Sequence, residues 1–330
     1  MSIRPLGFLA VLALLTAAAP SFAATAPPLW NGLPPGTDAV GYRRIAGPTV
    51  VVDVWYPAAA GGVAMRFVDC LEDSAHTASF LTGAGVPASE VATLLGSPLT
   101  AHRSAPASST ARSPLVLVAQ GNGESASDQV VLCEFLASHG YVVASTPSPM
   151  LRTPLEREDQ VGAFAETQCS DLAAAIAVVA QALPVDTTRI AAVGHSFGAR
   201  AALLLGMRNP RARALVSLDG GIGTATALES FEAAPSFRAG APLPPILHDY
   251  ETLDPFMKPD FTLLKGLHAR SLTLREMPGM HHVHFTTWGF AVASVPGLAA
   301  ATHATPSTAR GARTVAEGTL AFLEHCVPAK

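Results

Sequence analysis

The sequence predicts an α/β protein in which a mostly parallel central sheet carries helices on both faces. From Pro114 onward, short apolar runs typical of buried strands alternate with stretches of helical apolar spacing. A pentapeptide of the form G-x-S-x-G occupies residues 194–198, directly between one such strand and one such helix. The 330 residues suffice for one large core and show no internal repeat, so we predict a single domain over residues 24–330.

The individual elements follow from local pattern. β-Branched and apolar runs predict strands at residues 49–56, 115–119, 141–145, 189–193, 214–218, 245–248 and 271–274. Helical spacing predicts helices at residues 89–95, 128–139, 167–183, 197–207 and 314–325. Residues 24–48 are rich in Pro and Gly and favour an extended lead-in. Residues 58–113 and 221–244 have weak periodicity, and we expect them to form loops on the substrate side.

The composition excludes several classes of protein. Only 14% of the residues are charged and 49% are hydrophobic, which is the opposite of a disordered chain. Lys and Arg number 21 against 25 Asp and Glu, so no basic excess is present to bind nucleic acid.

The N-terminus has the layout of a secretory signal peptide. Arg4 precedes an uncharged apolar run at residues 6–19, and small residues surround Phe22 before Ala24. The run is shorter than a membrane span, and no later segment is expected to span. We predict cleavage after Ala23 and a secreted or periplasmic mature protein, the alternatives being an uncleaved anchor or a core helix.

Ser196, the serine of the pentapeptide, is the predicted nucleophile. The turn between strand and helix is so sharp that a side chain in place of Gly194 or Gly198 would collide with neighbouring atoms of the turn. The N-terminus of the following helix favours negative charge beside the serine. An oxyanion would be held by the backbone N–H of Phe197 and by that of Asn122, in the glycine loop at 120–123.

A general base is expected late in the chain, after the last core strand. His281, His282 and His284 follow the strand at 271–274, and His282 is favoured. These histidines could instead bind a metal, but no Cys or acidic residue stands nearby at ligand spacing, so we predict neither metal nor cofactor.

The carboxylate that orients the histidine has three candidates. Asp219 ends the strand that follows the nucleophile helix and is favoured, because its carboxylate would face the crevice at the strand ends. Asp254 lies beyond the next strand, and Asp249 is a weaker third.

Four cysteines, none in a C-x-x-C pair, leave two alternatives open. In an oxidising compartment they could form one or two structural disulfides, or they could be buried free thiols. They are Cys70, Cys133, Cys169 and Cys326.

Together these motifs resemble the α/β-hydrolase superfamily over residues 40–330. The narrower resemblance is to platelet-activating-factor acetylhydrolases, dienelactone-hydrolase-like proteins and polyester-active esterases. It is carried by VWYP at 54–57, PLVLV at 114–118, LASHGYVV at 136–143, GHSFG at 194–198, LDG at 218–220 and GMHH at 279–282. The resemblance implies Asp219 as the acid, His282 as the base and Asn122 as an oxyanion donor. Gln120 and Ala199 depart from the family pattern, which has His and Gly there.

The resemblance implies a secreted serine hydrolase of carboxylic esters that acts through an acyl-enzyme. A short-chain ester is the expected substrate, then a phospholipid or other lipid ester, then a polyester. Acyl transfer or peptide cleavage by the same residues, and a non-catalytic binding protein on the same fold, are the alternatives. The sequence does not determine the oligomeric state.

Overall fold

The structure is a computed structural model that describes residues 26–329, so the predicted signal peptide lies outside the described residues. Within that range a ten-stranded sheet has the order β10-β9-β8-β7-β5-β6-β2-β1-β4-β3. Its strands are β1 (Ala39–Ala46), β2 (Val51–Ala58), β3 (Val63–Arg66), β4 (Pro98–Arg103), β5 (Ser113–Ala119), β6 (Val142–Thr146), β7 (Val185–His195), β8 (Ala212–Leu218), β9 (Ile246–Tyr250) and β10 (Leu272–Glu276).

The six strands β5 to β10 are neighbours in the sheet and all run parallel. β2 runs antiparallel to both β6 and β1, and β3 runs antiparallel to β4. The predicted mostly parallel sheet is therefore confirmed. Parallel strands end at one edge of the sheet, so the loops after β5, β7, β8, β9 and β10 come together there.

Nine helices lie in the described range: α1 (Ser74–Gly83), α2 (Ala88–Leu95), α3 (Val130–Ser138), α4 (Val161–Ala182), α5 (Gly198–Arg208), α6 (Thr262–Gly266), α7 (Thr287–Ala291), α8 (Pro296–Ala301) and α9 (Thr308–Cys326). The side chains of β5 alternate between two cores, as the pleat requires. Val116 packs on the face with α3 and α9, whereas Leu117 packs on the face with α4 and α5. The prediction of helices on both faces is confirmed.

The N-terminal third differs from its prediction. β1 lies inside the expected lead-in, and its charged residues obscure the strand pattern. Arg44 forms an ion pair of 2.8 Å with buried Asp53 on β2, and Arg43 donates to Tyr56 on the same strand. The expected loop 58–113 contains β3, α1, α2 and β4, and β4 extends the sheet beyond β1.

Helix α4, with the turn before it, is long and apolar enough to cross a membrane by length and composition alone. This differs from the expectation that no segment after the leader could do so. Its buried residues, including Cys169, Leu172 and Val179, pack against the sheet. The apolar face of α4 is accounted for by the core of this domain.

All four cysteines lie among the described residues as free thiols, which favours the second of the two alternatives. Burial raises the pKa of the Cys169 thiol to about 11 and that of Cys70 and Cys133 well above the ordinary value. Thiols of this kind are protonated and poor nucleophiles at neutral pH.

Candidate active site

Ser196 lies in the sharp turn between β7 and α5. Its φ of +52° is in the left-handed region, which is costly for a residue with a side chain. The turn is held from β8: the Ser196 N–H donates to the Leu218 carbonyl (3.1 Å), and the Gly221 N–H donates to the Ser196 carbonyl (3.0 Å). The serine is therefore held by the end of β8 and by the turn that follows it, which carries Asp219.

The glycines on either side of the turn leave no room for a side chain. A Cβ on Gly194 would lie 2.5 Å from backbone atoms of Ala199. A Cβ on Gly198 would lie 2.2 Å from the carbonyl oxygen of Ala119 at the end of β5. The G-x-S-x-G spacing therefore follows from the close approach of α5 to the sheet.

Ser196, His282 and Asp219 form one chain of hydrogen bonds. The Oγ of Ser196 lies 2.8 Å from Nε2 of His282, and Nδ1 of His282 lies 2.5 Å from Oδ2 of Asp219. Asp219 is buried, also has a left-handed φ of +43°, and accepts the Glu251 N–H at 3.1 Å. This arrangement can move the serine proton to the imidazole, with the carboxylate opposite the charge that forms.

The other two acids have different partners. Oδ2 of Asp254 accepts the backbone N–H of His282 at 2.7 Å, and its Oδ1 lies 2.8 Å from Nδ1 of His281. Asp249, which is buried, forms an ion pair with the partly exposed Arg275 from β10. Asp254 therefore holds the loop on which His282 stands, but does not touch its ring.

The neighbouring histidines do not reach Ser196. Nδ1 of His284 accepts the His281 N–H at 2.9 Å, and its Nε2 lies 3.0 Å from Oγ1 of Thr302. Burial lowers the pKa of His284 to about 4. Among residues 26–329, no group of three His, Cys, Asp or Glu side chains is arranged to hold a metal ion.

The loop after β5 places Asn122 at the same cavity as Ser196. Neither the Asn122 nor the Phe197 N–H donates to another described residue, so both are available to an oxyanion. The buried Gln120 side chain turns away and donates to Ser145 on β6 at 2.7 Å.

A second carboxylate–histidine pair, not predicted from the sequence, lies behind the loop. Nδ1 of His195 is 2.8 Å from Glu124, which also accepts the Gly121 N–H at 2.6 Å. Burial lowers the pKa of His195, but the charge of Glu124 and the hydrogen bond to it raise that pKa by more, to above its ordinary value. The His195 ring packs against the His282 ring with a tilt of 30° and 4.8 Å between the ring centres, and its Nε2 lies 3.3 Å from the His282 carbonyl oxygen. Both ring nitrogens of His195 lie within hydrogen-bond distance of an oxygen, so the ring links the glycine loop to the His282 loop.

Ser196 and His282 open into a cavity of about 420 Å³. None of residues 58–113 lines it, contrary to the prediction, because that segment extends the sheet at the far side of β2 and β6. The segment 221–244 does contribute, through Gly221, Thr224 and Thr226. The apolar lining comes from segments that the sequence did not single out: Leu155, Val161, Phe256 and Met257.

The solved structure of a ferulic acid esterase from Streptomyces cinnamoneus matches 91% of this chain and 92% of its own, with a TM-score of 0.67 and 19% identity. The chain has the α/β-hydrolase fold. In that fold a nucleophile stands at the turn after a central strand, which is where Ser196 lies. No family model and no curated protein matches the chain, and the narrower resemblance to acetylhydrolases stays a prediction.

Proposed function

We propose that the protein hydrolyses carboxylic esters through an acyl-enzyme on Ser196. The observation that carries the proposal is the hydrogen-bonded chain from Ser196 through His282 to Asp219, at a cavity of an α/β-hydrolase fold. The similarity to a ferulic acid esterase favours an ester over an amide as the bond that is cleaved.

The reaction would use each group in turn. His282 Nε2 removes the Ser196 proton as Oγ attacks the ester carbonyl carbon, and the N–H groups of Asn122 and Phe197 bind the oxyanion. His282 then protonates the leaving alcohol as the ester C–O bond breaks. Water, deprotonated by the same imidazole, releases the acid and restores the serine. Asp219 stabilises the imidazolium in both halves.

The cavity is of the size that accepts a small molecule. A short-chain ester therefore remains our first choice, ahead of a phospholipid or a polyester. We propose further that the chain is exported and that the mature protein begins at Ala24. Sequencing of the mature N-terminus from the culture medium or periplasm tests the export; an intact Met1 would contradict it.

A fluorophosphonate probe tests the nucleophile. We expect wild-type protein to be labelled and Ser196→Ala, with an unchanged melting temperature, to remain unlabelled. Ser217→Ala is the matched control, since this buried serine contacts His248 rather than His282. Folded wild type that is not labelled would contradict the proposal. Products formed with added alcohol or amine acceptors distinguish hydrolysis from acyl transfer, and peptide substrates test for peptidase activity.

A further inference from the structure

The first turn of the nucleophile helix brings a cation into the cavity that the proposed mechanism does not use. Arg200 follows Ser196 by one helical turn on α5 and lines the same cavity. Its Nε donates to Oγ of Ser230 at 2.9 Å, and its Cζ lies 5.4 Å from the centre of the Phe197 ring. The guanidinium lies against the backbone at Gly221, where an added Cβ would be 2.2 Å from Nη1.

The charge of Arg200 is not neutralised by the protein. Within residues 26–329, no Asp or Glu oxygen lies within ion-pair distance of its guanidinium. Nη1 and Nη2 donate no hydrogen bond to any described residue. Burial without a counter-charge lowers the pKa of Arg200 to about 10, so the side chain is still cationic at neutral pH.

The other charged groups at the cavity are already engaged. Glu124 binds the Gly121 N–H and His195, and His282 lies between Ser196 and Asp219. The remaining lining is apolar or uncharged, for example Leu155, Val161 and Thr226. Arg200, which is partly buried, therefore has an unpaired charge at this cavity, and removing an unpaired charge from water costs free energy. A guanidinium has the planar geometry that binds a carboxylate through two parallel hydrogen bonds.

We propose that Arg200 binds an anionic group, a carboxylate in the first instance, on the ester that Ser196 attacks. The inference rests on the proposed function and narrows its substrate to esters with a negative charge close to the scissile bond. Arg200 and Ser196 line the same cavity, so the charged group and the scissile ester should fit in it together.

Paired esters that differ in one charge test the inference. Monomethyl glutarate is compared with methyl pentanoate for a charge in the acyl part, and 4-carboxyphenyl acetate with phenyl acetate for a charge in the alcohol part. For at least one pair, we expect wild type to have the higher kcat/KM on the anionic ester. Added chloride salt should reduce the difference, because it screens the attraction.

Arg200→Gln should lower the anionic-to-neutral ratio of kcat/KM by about 10- to 100-fold, mainly through KM. Arg200→Lys should keep part of the ratio, since it keeps the charge but not the planar geometry. The matched control is Arg208→Gln on the same helix, an arginine near Glu166 and away from the cavity, which should leave the ratio as in wild type. An unchanged ratio in folded Arg200→Gln would overturn the inference.

The wild-type comparison does not depend on the variants folding. If wild type reacts with the fluorophosphonate and hydrolyses methyl pentanoate, but prefers the neutral member of both pairs, the anion site is refuted and the proposed function stands. If folded wild type neither reacts with the probe nor hydrolyses any of these esters, the proposed function itself fails.

Discussion

Asp219 and Asp254 both contact His282, but through different atoms, and their removal should have different effects. Asp219 holds the ring at Nδ1, the atom that fixes which tautomer faces Ser196. Loss of the acid in such a triad lowers kcat by about 10⁴-fold, on the order of 5 kcal/mol of transition-state stabilisation. We expect Asp219→Ala to show a loss of this size with little change in KM.

Asp254→Ala should act mainly on stability. It removes one hydrogen bond to the His282 backbone and one to His281, and a hydrogen bond to a charged group contributes about 1.5–3 kcal/mol. About a fifth of the Asp254 side chain is exposed, so solvent screening reduces the sum to about 1–3 kcal/mol. We expect a lower melting temperature and a much smaller loss in kcat than Asp219→Ala shows, because Asp254 does not contact the His282 ring.

Steady-state hydrolysis of a neutral ester, with thermal melts followed by circular dichroism, separates the two effects. Asp219→Asn and Asp254→Asn are the matched controls, because they keep the shape of each side chain and remove only its charge. Loss of turnover in Asp254→Ala, with turnover retained in folded Asp219→Ala, would show that Asp254 and not Asp219 assists His282.

Four further outcomes follow from the structure. Gly198→Ala should destabilise the fold by about 1–3 kcal/mol and reduce turnover, because its Cβ would meet the Ala119 carbonyl. Gly240→Ala is the control: its Cβ would meet no other atom, so a thermal melt and an ester assay should both give wild-type values. Ellman's reagent without reductant should count four thiols after denaturation, and fewer would indicate a disulfide; in native protein only Cys326, the one that is not fully buried, should react quickly. Buried Glu134, hydrogen-bonded to Trp30, has its pKa raised to about 7 by burial, so its contribution to stability is present below about pH 4.5 and is lost as the pH rises through 7. That loss is on the order of 3 kcal/mol, and Glu134→Gln should flatten the fall in unfolding free energy between pH 5 and 8; an equally steep fall in the variant would show that another group causes it. Glu124→Gln should lower kcat about tenfold with little change in KM, since it loosens the Gly121 loop that carries the Asn122 N–H. A wild-type kcat in this variant would show that Glu124 does not hold the loop in its active position.

The parallel part of the sheet could be predicted because strands buried on both faces are continuous apolar runs, as at Leu115–Ala119 in β5. Strand β1 could not be predicted, because the partners of its residues Arg43 and Arg44 lie on β2. Only this tertiary pairing stabilises the charged segment as a strand. The turn at Ser196 was predictable for a different reason: the G-x-S-x-G pattern that marks it is contained in five consecutive residues, although the atoms that crowd Gly198 belong to β5.

Contacts between distant residues limited the prediction of the site. His281 and His282 are neighbours, and what distinguishes them is that Asp219, 63 positions away, faces the ring of one. His195 contacts Glu124 at a separation of 71 positions, and no local pattern marks that pair. Arg200 lies close to the motif in sequence. That no carboxylate of the described residues pairs with its guanidinium can be seen only in the folded structure.

The left-handed backbone of Ser196 and Asp219 has a consequence for the stability of the whole protein. Two such residues together cost roughly 2–4 kcal/mol relative to glycine, a large share of the 5–15 kcal/mol by which a domain of this kind is stable. Selection for thermal stability alone would therefore favour glycine at position 196 and remove the proposed nucleophile. The fold is less stable than it could be at this position, and engineering for heat resistance should leave the turn unchanged.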